Sequence, residues 1–234
     1  MEDKKLDMEV NKMEKLLFLK KFRKDVEIVD PGQVENLSIP KLWRELFSEK
    51  DFSIQKKILL NQWKKVVGLE LPNSISFIEN NLCELDLIHY REKWSILYSI
   101  KCEDGEIYYF EGGNPEECVD HKLLNGMPEK LMSFYLELHN GFFFYPSRMM
   151  GLVPLDEVTH FSDDWGILDE LEEPLKLSLD TTYGFFKNGG GGYLAVDYNN
   201  CKNNIATRWF DDMEPEYNIN FWEYADIWLK IGFE

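Results

Sequence analysis

The sequence predicts an α+β fold: a mostly antiparallel sheet of about six or more strands flanked by helices, with a helical N-terminal extension. Three observations lead there. The apolar residues recur with a helical period up to about residue 82 and then alternate with a period of two. Turn signals, Asp104-Gly105 and the glycine run 189–192, separate short apolar segments. The stretch MPEKLMSFYLELHNGFFFYP, residues 127–146, reads as a helix, a tight turn and a buried strand in direct succession. These features divide the chain into a helical region over 1–67 and an α+β domain over 68–234.

The elements follow in order. Residues 4–25 place Leu6, Val10, Met13 and Leu17 at spacings of four, three and four, a narrow seam expected to pack on the body of the protein. Asp30-Pro31-Gly32 breaks the chain. A short helix over 40–47 turns Leu42, Trp43, Leu46 and Phe47 inward. Ser53 is the expected cap of a third helix to about Val67, with Ile54, Ile58, Trp63 and Val66 inward. A fourth, over 72–82, uses Ile75, Ile78 and Leu82. Strands are expected at 85–90, 94–102 and 106–111, followed by a loop to residue 127.

Pro128 suits the first position of the next helix, because its missing N–H has no helical partner there anyway. Leu131, Phe134, Tyr135 and Leu138 fall on one face, and Gly141 can take the left-handed conformation that ends the helix. The aromatic run 142–145 is a strand, and 150–155 is another that turns into one helical turn at 154–158. Residues 162–174 form an acidic segment. Strands are expected at 175–179, 183–187, 193–198 and 205–209, a second acidic loop at 211–217, and a closing helix at 221–231.

The chain of 234 residues is 44% hydrophobic and 15% aromatic, ample for a core. No apolar run nears the roughly 18 residues of a membrane span, and the N-terminal run 16–19 is too short for a secretory signal, so a cytoplasmic protein that does not engage membranes is expected. The four cysteines lie far apart without a C-x-x-C, which predicts reduced thiols. Cys102, Cys118 and His121 do not have the spacing of a zinc site, so no metal and no cofactor are expected.

Charge is the most informative global property. The net is −17. Residues 1–65 hold 15 basic and 12 acidic side chains, a net of +3; residues 66–234 hold 11 and 31, a net of −20. Such a field repels nucleic acid and anionic membranes and attracts a basic partner.

Catalytic chemistry finds little support in the motifs. The glycine run leads into a strand rather than a helix, so it is a turn and not a phosphate loop. There is no G-x-S-x-G, and none of the four histidines stands in a catalytic motif. His139 reads as a surface or half-buried residue at a helix C-terminus, and His160 as structural. The paired carboxylates are adjacent in sequence on loops, which favours a solvated face over a hydrolytic pair. Ser162 to Gly166 has too few alternating ligands for calcium.

Acids mixed with aromatics suit a docking site for a basic protein, the aromatics as anchors and the carboxylates for steering. The candidates are Asp163, Asp164, Trp165, Asp169, Glu170, Glu172, Glu173, Asp211, Asp212 and Glu214. Trp209 and Phe210 adjoin the second loop; Trp209 is equally readable as an inward strand residue.

The segments MPEKLMSFYLELHNGFFFYP, GLVPLDEV, GGGGYLAVDY, IATRWFDD and FWEYADIWLK together resemble the SUKH superfamily, which includes fungal cell-wall assembly regulators and immunity proteins of bacterial polymorphic toxin systems. The resemblance covers residues 126–232. Pro128, Gly141, Pro154, Leu155, Gly192, Asp197, Trp209 and Phe221 stand at the matching, mostly structural positions. It implies a non-enzymatic domain that binds and neutralises a cognate toxin, often a basic nuclease, or else a scaffold or regulator like the fungal relatives. Oligomeric state is left open.

Overall fold

The computed structural model describes residues 2–162, 171–210 and 213–234. Its described strands form one antiparallel sheet. They are β1 (Glu27–Ile28), β2 (Leu82–Tyr90), β3 (Lys93–Lys101), β4 (Ile107–Gly113), β5 (Phe142–Phe144), β6 (Met150–Leu152), β7 (Thr159–His160), β8 (Thr182–Asn188), β9 (Gly192–Asp197), β10 (Ile205–Phe210) and β11 (Glu216–Asn220). Sheet order follows chain order, except that β6 pairs directly with β8 and the short β7 pairs with β8 off the main path. The helices are α1 (Glu2–Lys20), α2 (Lys41–Ser48), α3 (Phe52–Val67), α4 (Pro72–Asn81), α5 (Glu129–Glu137) and α6 (Phe221–Gly232). The fold is therefore α+β with an antiparallel sheet flanked by helices, as the sequence predicts.

Strand alternation sends successive side chains to opposite faces. Ile96, Tyr98, Phe110, Phe142, Leu194 and Val196 face the main core, where α2–α6 pack. That core runs from Val34 to Phe233, so the helices before residue 67 and the sheet share it. Ile88 and Leu97 face the other way and pack with Leu19, Val26 and Tyr145 under the end of α1. Further along the same face, Ala195 and Trp209 pack with Phe161, covered by Leu171, Leu175, Leu177 and Leu179.

The 127–145 unit forms as expected, with a shift of one residue at its start. Pro128 is the N-cap rather than the first helical residue, and its carbonyl accepts from Met132 N at 2.9 Å. Gly141 has φ +80°, and a Cβ there would come within 2.6 Å of Pro154 N, so both conformation and space require glycine.

Several local expectations are corrected. Asp51, not Ser53, caps α3: its carboxylate accepts from Ser53 N at 2.8 Å, because Asp51 is the residue with extended backbone just ahead of the helix. Ile54 is 44% exposed, and Leu59, Leu60, Trp63, Val66 and Val67 face the core. The seam of α1 is turned outward: Val10, Met13 and Leu17 are 47%, 64% and 61% exposed, and the side chain of Leu6 lies outside the described residues. Buried Leu19 and the ion pairs of Lys15 with Glu84 and Asp86 set the rotation of the helix instead.

Residues 175–178 make no strand. Their leucines lie over the Phe161–Trp209 cluster, so the segment covers a face of the sheet rather than joining its edge. Conversely, part of the expected second acidic loop is β11, which pairs with β10 through Ile205↔Asn220 and Arg208↔Glu216. Its only buried residue is Ile219, which is why no apolar alternation marked it.

His139 is fully buried, not at the surface. Its Nε2 lies 2.5 Å from the Tyr98 hydroxyl and its Nδ1 3.3 Å from Gly113 O. His160 stacks on Tyr183 at 4.8 Å and reaches Asp180 O at 3.0 Å, a structural role. All four cysteines are free; burial pushes the thiol of Cys102 up to about 11 and that of Cys118 to about 12. No helix of the described residues is long and apolar enough to cross a membrane.

Candidate functional site

Two places on the face opposite α2–α6 carry concentrated chemistry. The first is the acidic end. Asp163, Asp164, Trp165, Asp169, Glu170, Asp211 and Asp212 lie outside the described residues. Glu172, Glu173 and Glu214 are described, and all three are exposed.

The structure brings their two segments together. The Glu214 carboxylate accepts from Glu172 N at 2.6 Å, and the Tyr217 hydroxyl accepts from Lys176 N at 3.3 Å. Glu173 pairs with Lys176 at 2.8 Å, and that hydrogen bond and charge hold its carboxyl below the usual range. Trp209 is an inward strand residue, 1% exposed, with Nε1 donating to Met213 O at 2.9 Å. Phe210 is half-buried and meets Trp228 edge-on at 6.1 Å. Trp209 therefore braces the acidic end from below, whereas Phe210 packs against α6 on the other face of the sheet, and neither is a surface anchor.

The remaining positions noted in sequence are structural. Leu155 N donates to Asn140 Oδ1 at 2.9 Å beside Pro154, which fixes the turn after β6. A Cβ at Gly192 would meet the Phe210 ring at 2.6 Å. The Asp197 carboxylate accepts from Thr181 Oγ1 at 2.6 Å and Asn199 N at 3.0 Å, tying β9 to the turn before β8. Phe221 is buried at the start of α6, edge-on to Trp222 at 5.2 Å.

The second place is a cleft of about 800 Å³ over β2–β5, bounded by the end of α1 and the turn at Leu155–Glu157. Strand alternation places Ser95, Glu111 and Phe143 on its floor. Ser95 Oγ donates to Glu111 Oε1 at 2.8 Å. Arg23 enters from the chain after α1 and forms an ion pair with Glu111, its guanidinium 4.4 Å from the Tyr145 ring. Burial works against the Arg23 charge, but Glu111 beside it more than offsets this and raises its pKa. Arg148 grips Glu157 with Nε at 3.2 Å and with Nη2, while its guanidinium lies 4.4 Å from the Phe143 ring. Arg148 and the rim residue Arg91 both have left-handed backbone, at φ +57° and +56°. Non-glycine residues in that conformation are uncommon and concentrate at functional sites.

Sequence reasoning missed this cleft. Its charged groups come from separate segments, no two of the key residues form a motif, and Arg23 and Glu111 are 88 residues apart in number. The one local signal is an acid on a strand between apolar neighbours, Glu111 after Phe110, which needs a buried partner if that face is covered.

No family model, no characterised protein and no solved structure matches this chain. Among the described residues, no group of three or more His, Cys, Asp or Glu could hold a metal ion.

Proposed function

We propose that this chain is a binding protein that neutralises a basic protein partner, a toxin domain of nuclease type, by stoichiometric association through its acidic end. The observation that carries the reading is the contact between Glu214 and the backbone of Glu172. It brings exposed Glu172 and Glu173 beside exposed Glu214, which lies 42 residues after Glu172, in a chain whose net charge is −17. A surface of that sign speeds the approach of a basic protein and covers a cleft built to hold phosphates. The SUKH resemblance points to the same class of function and supports a cytoplasmic protein without cofactor or catalysis.

The test is purification of the tagged chain from its native cells, washed at low and then at high salt. One stoichiometric basic partner, released by salt and lost with Asp163, Asp164, Asp211 and Asp212 reversed to lysine, supports the reading. Binding that is indifferent to those reversals overturns the site.

One observation favours a second reading, a scaffold or regulator docking through its N-terminal helix: the exposed stripe Val10, Met13 and Leu17. Loss of partner binding on substituting these three by serine, with the acidic end intact, would decide for it.

A further inference from the structure

Alternation along β2, β3 and β4 gives the sheet a second face, opposite α2–α6, that is acidic around an apolar centre. Glu84 and Asp86 of β2 and Glu111 of β4 share it with Ile88, Leu97 and Tyr145. Residues 10–26 lie over this face. Lys15 pairs with Glu84 and, at 2.7 Å, with Asp86, and Arg23 pairs with Glu111. Leu19 and Val26 pack on the apolar centre, and the Tyr145 hydroxyl donates to Leu19 O at 3.3 Å. Arg23 N donates to Leu19 O at 3.1 Å, which carries the helical spacing past the end of α1 and puts Lys15, Leu19 and Arg23 on one side.

The hold on this face is slight. Among the described residues the α1 backbone runs close alongside no other helix or strand, whereas α4 packs on α6 and α3 on α5. Its outer side meets solvent through Val10, Met13, Leu17 and Phe22, all exposed. Beneath it, Ser99 stands in register between Glu84 and Tyr109. Tyr109 meets Phe18 of α1 at 5.2 Å, and Ser99 is 2% exposed with no described group partnering its Oγ. Such unpaired buried groups are uncommon in a well-fitted contact. The ion pairs add little, because removing both charges from water offsets much of their attraction. The main core, by contrast, ties α2–α6 and the sheet into one cluster from Val34 to Phe233.

We propose that residues 10–26 are an autoinhibitory strap, which opens from the sheet as one unit while the main core stays folded, and that the face it covers docks a basic amphipathic helix of a partner protein. The strap is the template for that helix. It shows what the face takes: an apolar side chain on Ile88, Leu97 and Tyr145, and a cation one helical turn to either side, at Glu84 and Asp86 and at Glu111. A partner helix competes with the strap, so its apparent affinity falls with the fraction of chains that are open. This face is separate from the acidic end and does not rest on the toxin-binding reading.

Two measurements on the full chain test it. In native-state hydrogen exchange, amides 10–20 exchange about tenfold or more faster than those of β3 and α5, through an opening that leaves the latter protected. Fluorescence anisotropy then follows a labelled peptide of residues 10–26. The peptide binds the full chain, and the same peptide with Lys15→Glu and Arg23→Glu binds about tenfold more weakly or worse. Lys15→Gln in the full chain loosens its own strap and tightens the unaltered peptide about tenfold, with the melting curve as the control for folding. The exchange and the two-peptide comparison need no variant of the chain. The proposal is overturned if amides 10–20 exchange only with β3 and α5, if the unaltered peptide does not bind at millimolar concentration, if the two peptides bind equally, or if a folded Lys15→Gln chain binds the peptide no more tightly.

Discussion

The Tyr98 hydroxyl lies 2.5 Å from His139 Nε2, at the centre of a buried chain of polar groups in an otherwise aromatic core. Trp63 Nε1 donates to the same hydroxyl at 3.0 Å. Gly113 O can only accept, so His139 carries its proton on Nδ1 and accepts from Tyr98 through Nε2. Every member is satisfied only while the imidazole is neutral. Burial pushes His139 down to about 3, the bond to Gly113 opposing only in part.

That depression has a pH signature. In the unfolded chain His139 titrates near 6.5; in the folded chain it stays neutral until about 3. Its contribution is present in full above pH 6.5 and is lost as the pH falls from there toward 3. It is worth roughly 5 kcal/mol across the window, about 3 of them above pH 4. Urea unfolding at pH 7 and pH 4 measures it. His139→Phe, which cannot bind a proton, is less stable at pH 7 by about 1–3 kcal/mol because Tyr98 loses its acceptor. The variant also shows a shallower loss of stability on acidification.

Glycine at position 141 is required twice over, by φ and by space, and the two can be separated. Gly141→Ala forces a Cβ against Pro154 N, Val153 C and Leu152 O, all backbone, and costs more than about 2 kcal/mol. Gly105 has φ +88° but nothing within 4 Å of the position a Cβ would take, so Gly105→Ala costs about 1 kcal/mol. Thermal melting of the two variants gives the comparison; equal losses would mean that crowding at residue 141 is relieved by backbone movement.

Asp226 caps a helix to which it does not belong. From within α6, its carboxylate accepts from Asn73 N at 3.0 Å, Ser74 N at 2.8 Å and Ser74 Oγ at 2.6 Å, at the start of α4. Leu71, the residue ahead of α4, has no side chain able to cap it. Asp226→Ala strands these donors and costs about 2–4 kcal/mol, with Asp226→Asn recovering part of it. Chemical denaturation reads both; a loss below about 0.5 kcal/mol for alanine would mean that α4 does not depend on this cap.

The outward seam of α1 depends on Lys15. Its ammonium is 8% exposed between Glu84 and Asp86, and although burial lowers its pKa these two acids more than offset that and raise it. Lys15→Met leaves Asp86 buried beside an apolar group and costs about 3 kcal/mol, which the second change Asp86→Leu recovers. Hydrogen exchange of amides 10–20 shows whether α1 detaches. Protection unchanged in the single variant would mean that Leu19 and its neighbours hold the helix without the ion pairs.

At the acidic end, Glu172→Lys and Glu173→Lys change charge on exposed side chains, so stability moves by no more than about 0.5 kcal/mol. Association with a basic partner slows, and its dependence on salt weakens. Stopped-flow binding at two ionic strengths separates this from a general loss of affinity.

Much of the fold was legible because it is written locally. The α5 stripe Leu131, Phe134 and Tyr135, the Asn140-Gly141 stop and the aromatic β5 need only neighbours a few residues away. The alternation around Ser95 to Ile100 gave β3, and Asp104-Gly105 gave its turn. Where the local signal was thin, elements were missed. β11 buries a single residue, and β1 is two residues long. The leucines at 175–179 looked like a strand, because apolar residues that cover a sheet and those that extend one have the same composition.

By itself, then, the sequence determined the α+β class, the order of most elements, the capped helix and strand at 128–144, and a strongly acidic surface over residues 66–234. Only the tertiary structure decided which way α1 turns, that His139 is buried, that Asp226 caps α4, and that Arg23, Glu111 and Arg148 meet in one cleft. The reason is range. Period and turn chemistry act between residues a few positions apart, whereas a buried charge or histidine is placed by partners 26 to 153 residues away, and these come together only when the sheet closes the distance.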